Sequence, residues 1–246
     1  MRIFREIFGR VWALWVLLLF VVTMIPFLLP ALAFCATAPE PARTRRFIKY
    51  ARVWMAIYLR LIGCPLRISG KENFAPGEQY IVICNHNALM DVPVSSPSIP
   101  GANKTIAKAE MAKIPVFGMI YKMGSVLVDR KSDKSRKESY LNMKKVLDMG
   151  MHMCIYPEGT RNKTEQPLKA FHDGAFRLAL DTRKSIIPGM IFNTRKVNPA
   201  DKFFYIMPHR LYMDFLPPIA VEPGDTVESL RNRSFEIMKD YYSKNA

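Results

Sequence analysis

Along the chain, the spacing of apolar positions changes several times. From Val11 to Ala36 no residue is charged over 26 positions, which is long enough for a membrane helix, but Pro26 and Pro30 interrupt the run. The part before the first proline, Val11 to Ile25, predicts a helix of about 22 Å at about 1.5 Å per residue, short of a hydrocarbon core of about 30 Å. Such a segment dips into a bilayer, or spans it only with a kink. In the stretch that follows, "RRFIKYARVWMAIYLRLIG", Arg45, Lys49, Arg52 and Arg60 fall near helical spacing with Ala56 in the gap, and the other faces are apolar and aromatic. That pattern predicts a basic amphipathic helix closed by Gly63 and Pro65.

Beyond a polar turn, "GKENFAPGEQ", short apolar runs recur: Tyr80 to Cys84, Lys104 to Ala107, Ser125 to Val128, Met153 to Tyr156, Ile186 to Phe192, and Phe203 to Phe215 with a break near Pro208. Each reads as a strand. Between them lie helical stretches at Lys134 to Met149 and in "AFRLALDTRK" after Gly174, and the tail "DTVESLRNRSFEIMKDYYSK" opens with Asp225 and Glu228 as an expected capping-box pair. Strands alternating with helices predict an α/β fold: a single domain with a central, mostly parallel or mixed sheet flanked by helices, preceded by a membrane-anchoring helical segment. The expected division is an anchor and amphipathic helix over residues 1–64 and a catalytic domain over residues 65–246.

The chain has 246 residues and a formal charge of +15, of which only +2 falls in residues 1 to 37. A basic body points to nucleic acid, anionic lipid or an acidic partner. No nucleic-acid motif is present, so no nucleic-acid partner is expected, and the apolar front favours a surface of anionic membrane lipids. Arg2, Arg5 and Arg10 precede the apolar run and Arg43, Arg45, Arg46 and Lys49 follow it. Basic flanks on both sides disfavour sending either one across, so a monotopic helix pair embedded from the cytoplasmic side is preferred to a single span. This expectation places the chain at a cell inner membrane with its catalytic domain on the cytoplasmic face. The competing reading is a secretory signal ending in "AFCATA", against which the apolar region is too long. Cys35, Cys64, Cys84 and Cys154 lie far apart in apolar surroundings, as reduced thiols do, and no metal site is expected.

The strand ending at Cys84 runs into "NHNALMD", where His86 precedes Asp91 by five residues. A histidine takes a proton from an alcohol when its far ring nitrogen donates to a carboxylate that fixes the tautomer. The spacing predicts His86 on the loop and Asp91 in the first turns of a helix, bending back. A lone histidine is as readily structural. After the fourth strand, "YPEGTRN" offers Glu158 beside Arg161 around Gly159 and Thr160, either an anion-binding turn or a surface ion pair. "KAEMAKIPVFGMIYKMGSVLVDRK" adds Lys108, Glu110, Asp129 and Arg130, which as charges alone read as a solvated face. Ligands of open α/β sheets sit beyond the carboxyl ends of strands, so the three segments are expected to line one pocket.

"NHNALMD", "KAEMAKIPVFGMIYKMGSVLVDR", "YPEGTRN" and "IIPGMIF" stand in the order and approximate spacing of the four motif blocks of the glycerolipid acyltransferase family, and over about residues 65 to 220 the chain resembles bacterial 1-acylglycerol-3-phosphate acyltransferases. The resemblance implies His86 as general base and Asp91 as its orienting partner. It implies Glu158, Gly159, Thr160 and Arg161 as the acceptor-binding block, with Arg161 on the phosphate, and Lys108 and Arg130 as further anion contacts. Pro115 and Gly118 would shape the turn and helix of the second block, and Pro188 would bound the pocket. The implied reaction moves a fatty acyl group from an acyl-carrier-protein or acyl-CoA thioester to the sn-2 hydroxyl of lysophosphatidic acid, giving phosphatidic acid without a cofactor. Four positions depart from the pattern: His172 and Asp173 stand where the family often has lysines, Gly189 replaces a β-branched residue, and Asn162 replaces a serine. Alternatives are the same chemistry on another lysolipid such as a lyso-aminolipid, a thioester hydrolase, and a non-catalytic lipid-binding membrane adaptor.

Overall fold

A computed structural model describes residues 2–115 and 117–246; Val116, inside the second motif block, lies outside the described residues. The chain begins with α1 (Arg2–Ala36) and α2 (Ala42–Leu61), which form an antiparallel hairpin: Phe34 meets Tyr50, Phe27 meets Trp54, and Trp12 Nε1 donates to the Ile62 carbonyl. The predicted interruption at Pro26 and Pro30 does not occur, since α1 runs through both as one helix of 35 residues. A proline removes one backbone bond and crowds the preceding turn. Here Thr23, Phe27, Leu28 and Ala31 pack inward and hold the helix axis against that cost.

Seven strands follow, at Leu66–Ser69 (β1), Ile81–Cys84 (β2), Asn103–Lys108 (β3), Ser125–Val128 (β4), His152–Ile155 (β5), Ile186–Phe192 (β6) and Leu211–Phe215 (β7). Helices Asp91–Ser98 (α3), Phe117–Gly124 (α4), Asp133–Asp148 (α5), Gly174–Thr182 (α6), Thr194–Val197 (α7) and Val227–Asn245 (α8) connect and flank them. The sheet order is β1-β7-β6-β2-β5-β3-β4, parallel at every pairing except β6 with β7. The α/β expectation with a mostly parallel sheet therefore holds. Strand β1 had no counterpart in the sequence reading, because four residues alternating between half-buried and exposed give almost no pattern.

Both faces of the sheet are covered. Ile81 and Ile83 point into a cluster with Met143, Val146 and Leu147 of α5, Phe176 and Leu178 of α6, and Leu230 and Met238 of α8. Val82 and Cys84 point the other way, to Val94 of α3, Trp54, Met55, Tyr58 and Leu59 of α2, and Val16 of α1. All four β2 residues are buried, as expected of a strand covered on both sides. The inward face of the amphipathic α2 is thus part of the core, and its Arg52 donates to the carbonyls of Pro97 and Ile99 at the end of α3.

Two further expectations are corrected. The predicted strand over Phe203 to Phe215 is confined to β7, because Ile206 N–H donates to Gly9 of α1 and Met207 N–H to Val197, which takes the preceding backbone away from the sheet. The capping box of α8 is formed by Thr226 and Ser229, one residue later than Asp225 and Glu228: Thr226 Oγ1 accepts from Ser229 N–H at 3.1 Å, and Ser229 Oγ accepts from Thr226 N–H at 2.9 Å. The Asp225 carboxylate instead accepts from Glu222 N–H and pairs with Arg233, which draws it out of the cap.

His152 opens β5 in a buried position, with Nδ1 accepting from Tyr80 N–H at 3.1 Å. Burial pushes its imidazolium down from 6.5 to about 4, so the fold holds the neutral ring. The unfolded chain binds this proton near pH 6.5 and the folded chain only near 4, so stability is full above 6.5 and falls as pH drops to about 4, by up to about 3 kcal/mol. Urea midpoints in detergent are expected to fall across that window. His152→Asn, which keeps the acceptor but cannot titrate, should flatten the profile; an unchanged slope would assign the pH dependence to other groups.

Candidate active site

The site forms where β2 stops. Asn85 is fully buried and uses its side chain as a strand would use its backbone, donating from Nδ2 to the Ile191 carbonyl at 2.9 Å and accepting at Oδ1 from Ile191 N–H at 2.7 Å. This ties the loop after β2 to β6. His86 follows, and its Nδ1 lies 2.8 Å from Oδ2 of Asp91, the first residue of α3. The same Oδ2 accepts from Asn87 N–H at 2.6 Å and Ala88 N–H at 2.8 Å. Three donors on one fully buried carboxylate oxygen fix the loop, and an ionised Asp91 requires the proton of neutral His86 on Nδ1. The lone pair then sits on Nε2. The His86 side chain is 18% exposed.

The strand next to β2 supplies the rest of the frame. The Tyr156 ring lies 4.4 Å from the His86 ring, centroid to centroid, at 32°. Its hydroxyl is 2.7 Å from Ser95 Oγ on α3, and burial pushes the phenol far above its usual range, so it stays neutral. Glu158 is 1% exposed; Oε1 accepts from His86 N–H at 2.8 Å and Oε2 from Lys169 N–H at 2.9 Å. Burial raises the Glu158 carboxyl despite these two donors. On the other side of the His86 peptide, Asn162 N–H donates to its carbonyl at 2.6 Å.

"NHNALMD" and "YPEGTRN" are therefore one unit, and Arg130, from the third segment, joins it by donating Nη1 to the Gly159 carbonyl at 2.7 Å. Gly159 has a φ of +69°, and a Cβ there would stand 2.8 Å from the His172 ring. No side chain fits.

Thr160, Arg161, Lys163, Thr164 and Lys169 line an open pocket of about 340 Å³ beside this unit. Lys169 Nζ donates to Thr160 Oγ1 at 2.7 Å, and Arg195 donates to the carbonyls of Asn162 and Thr164, holding the pocket's rim. The expected partner of Arg161 is otherwise engaged: both Glu158 oxygens are committed to backbone N–H groups. Lys108 is exposed at the carboxyl end of β3, on the same sheet edge.

Reading the sequence missed Tyr156, Ser95, Asn85, Lys169 and the framing role of Asn162. Only Asn85 carried a signal, as an amide at the end of an apolar strand. The departures also find physical reasons. Asp173 pairs with Arg231 of α8 at 2.6 Å, and Lys169 brings a cation to the loop where family lysines were missed. Gly189 lies against Met213 and Cys84, where a Cβ would stand 2.8 Å from Met213 Cε and 3.0 Å from Cys84 Sγ, so a larger residue would have to displace the end of the Met213 side chain.

A histidine oriented by a buried carboxylate, at the carboxyl edge of an α/β sheet and beside a cationic pocket, is the arrangement of a general base serving an anionic, hydroxyl-bearing substrate. The chain belongs to the Acyltransferase family, whose model matches residues 65–192. It is similar to the 1-acyl-sn-glycerol-3-phosphate acyltransferase of Cocos nucifera, at 31% identity over 205 residues, covering 72% of this chain and 66% of that protein. It is also similar to the protein of that name from Borreliella burgdorferi, at 31% over 144 residues, covering 58% of this chain and 57% of the other. The chain thus spans two thirds or less of these relatives' lengths. Its fold matches the crystal structure of the 1-acyl-sn-glycerophosphate (LPA) acyltransferase PlsC from Thermotoga maritima, with a TM-score of 0.79 at 20% identity over 99% of this chain and 97% of that one.

A carboxylate buried under the His86 peptide acts on the base, whereas one that binds acceptor acts on KM. Glu158→Gln replaces one acceptor oxygen with an amide donor facing a backbone N–H. Acyl-transfer assays are expected to show kcat down by roughly tenfold or more with acceptor KM nearly unchanged. A rise in KM alone would return Glu158 to the acceptor site.

Proposed function

We propose that the protein is a membrane-bound 1-acylglycerol-3-phosphate O-acyltransferase, using an acyl-carrier-protein or acyl-CoA thioester as donor. The observation that carries this is the His86–Asp91 pair, whose Nδ1 is engaged and whose Nε2 is left as base, continuous through Asn162 with a pocket bearing Arg161, Lys163 and Lys169. The acceptor hydroxyl gives its proton to His86 Nε2 as its oxygen attacks the thioester carbonyl. The tetrahedral intermediate collapses with cleavage of the C–S bond, and the departing thiolate takes the proton back from His86. Asp91 stabilises the imidazolium between the two steps. Glu158 and Tyr156 hold the ring in place. Arg161 supplies a bidentate contact for the acceptor phosphate, which favours lysophosphatidic acid over a lyso-aminolipid without phosphate. Gly159, Thr160 and Arg130 shape that pocket, and Lys108 adds positive potential at the edge.

α1 is long and apolar enough to cross a membrane, with 17% of its most apolar window buried. The packing favours an in-plane arrangement. Lys202 pairs with Glu6 near one end of α1, and Arg46 donates to the Phe34 carbonyl near the other, so both ends are tied to the rest of the molecule. Between them Val11, Leu14, Leu18, Val22, Ile25 and Leu29 form an exposed apolar stripe. On this reading residues 1–64 are the membrane-facing part, residues 65–246 carry the catalysis, and the dyad faces the cytoplasm at the inner membrane. The basic body then faces anionic lipid.

Purified protein in detergent, given either thioester and lysophosphatidic acid, is expected to form phosphatidic acid. His86→Ala should lower kcat by roughly a thousandfold or more; a folded variant with wild-type turnover would remove His86 as the base. Arg161→Ala should raise KM for lysophosphatidic acid by roughly tenfold or more while leaving a neutral lysolipid acceptor unaffected. Equal effects on both would count against a phosphate contact.

A further inference from the structure

A second cavity lies away from the dyad. The turn between α1 and α2 sits at the amino edge of the sheet, where Glu40 pairs with Lys104 near the start of β3. Nearby, Arg52 of α2 binds the carbonyls that end α3, the helix whose opposite end carries Asp91. Here the two helices leave an open groove of about 500 Å³, lined by Phe27, Phe34, Arg46, Lys49, Tyr50 and Val53. The volume falls within the roughly 300–1,000 Å³ of ligand sites.

The groove is polar at one end only. Arg46 and Lys49 stand at the end near Phe34, and Arg46 is oriented there by the bond from Nη1 to the Phe34 carbonyl at 2.8 Å. At the other end Phe27 stacks on Trp54 beside Val53. The nearby carboxylate of Glu40 is neutralised by Lys104 Nζ at 2.9 Å and also accepts from Thr44 Oγ1 at 2.7 Å, so the local charge is positive. Apolar side chains continue outward from the groove: Leu29, Phe34, Val53 and Ile57 are all exposed.

We propose that this groove binds one anionic phospholipid of the bilayer, its phosphate held by Arg46 and Lys49 and an acyl chain running past Phe34, Tyr50 and Val53 to Phe27. The proposal rests on the membrane-facing reading of α1 and α2. A soluble phosphate would use the two cations and leave the aromatic wall uncovered, and a zwitterionic lipid would bring its own cationic head group beside Arg46 and Lys49; a net-anionic amphiphile satisfies both ends. The site is separate from the acceptor pocket, so it serves a resident lipid instead of a substrate.

Native mass spectrometry of the detergent-solubilised full chain, titrated with phosphatidylglycerol and with phosphatidylcholine of the same acyl chains, tests this. Wild type is expected to retain one phosphatidylglycerol about thirtyfold more tightly than phosphatidylcholine, whose choline cation offsets its phosphate beside the two basic side chains. Arg46→Gln with Lys49→Gln should remove the preference, and Val53→Trp, which fills the groove and keeps both cations, should weaken binding of both lipids. Equal retention by wild type, a preference that survives the double substitution, or full binding by Val53→Trp would each overturn the proposal. Acyl transfer in the same micelles should be unchanged in all variants. Its absence from wild type would strike the proposed activity and leave the lipid measurement standing.

Discussion

The arrangement depends on one carboxylate. Asp91 is fully buried, and the interior tolerates a carboxylate only when donors meet it; here they meet Oδ2, while Oδ1 has no hydrogen-bond partner among the described residues. His86 Nδ1 and the N–H groups of Asn87 and Ala88 converge on Oδ2, so the loop from β2 to α3 can close only in the shape that aims the imidazole outward. The neighbours of β2 then lock that shape from both sides. From β6, Ile191 takes both ends of the Asn85 amide; from the segment after β5, Glu158 and Asn162 take the two ends of the His86 peptide. The order β6-β2-β5 at the middle of the sheet is therefore what fixes the place of His86.

This division of labour explains what the sequence revealed and what it hid. β2, β4 and β6 were legible because uncharged β-branched runs have few other uses, and His86 with Asp91 was legible because a strand end rarely gathers such groups. β1 was hidden because its alternation spans only four residues. The prolines of α1 misled, since local propensity says nothing of the partner helix against which α1 packs. Glu158 was recognised by motif as part of the acceptor-binding block, with an ion pair to Arg161 as the alternative. Nothing in the linear pattern shows that its oxygens meet the backbone of a residue 72 positions earlier. Tyr156 and Lys169 were invisible for the same reason: their roles exist only once β5 lies beside β2.

Gly189 makes the same point from the opposite direction. In the motif it was a departure from a β-branched residue, and in the fold it is a point of close contact. It pairs with Cys84, the last residue of β2, on one side and with Phe215 of β7 on the other, and Met213 of β7 packs against it, so β7 joins the sheet beside β6 close to the loop that carries His86.

The amphipathic α2 has a consequence for the whole molecule. Its apolar face does not wait for a bilayer: Trp54, Met55, Tyr58 and Leu59 are in the same core as Val82, Cys84 and Val94. Val53, Ile57 and Leu61 remain exposed on its outer side, next to the stripe of α1. One helix is therefore both a wall of the catalytic core and part of the surface proposed to meet lipid. A flexible linker between anchor and enzyme would let the dyad sample any height above a membrane. Here its height is set by core packing, so on the proposed reading an amphiphilic acceptor can present its polar end to His86 while its acyl chain stays in the bilayer.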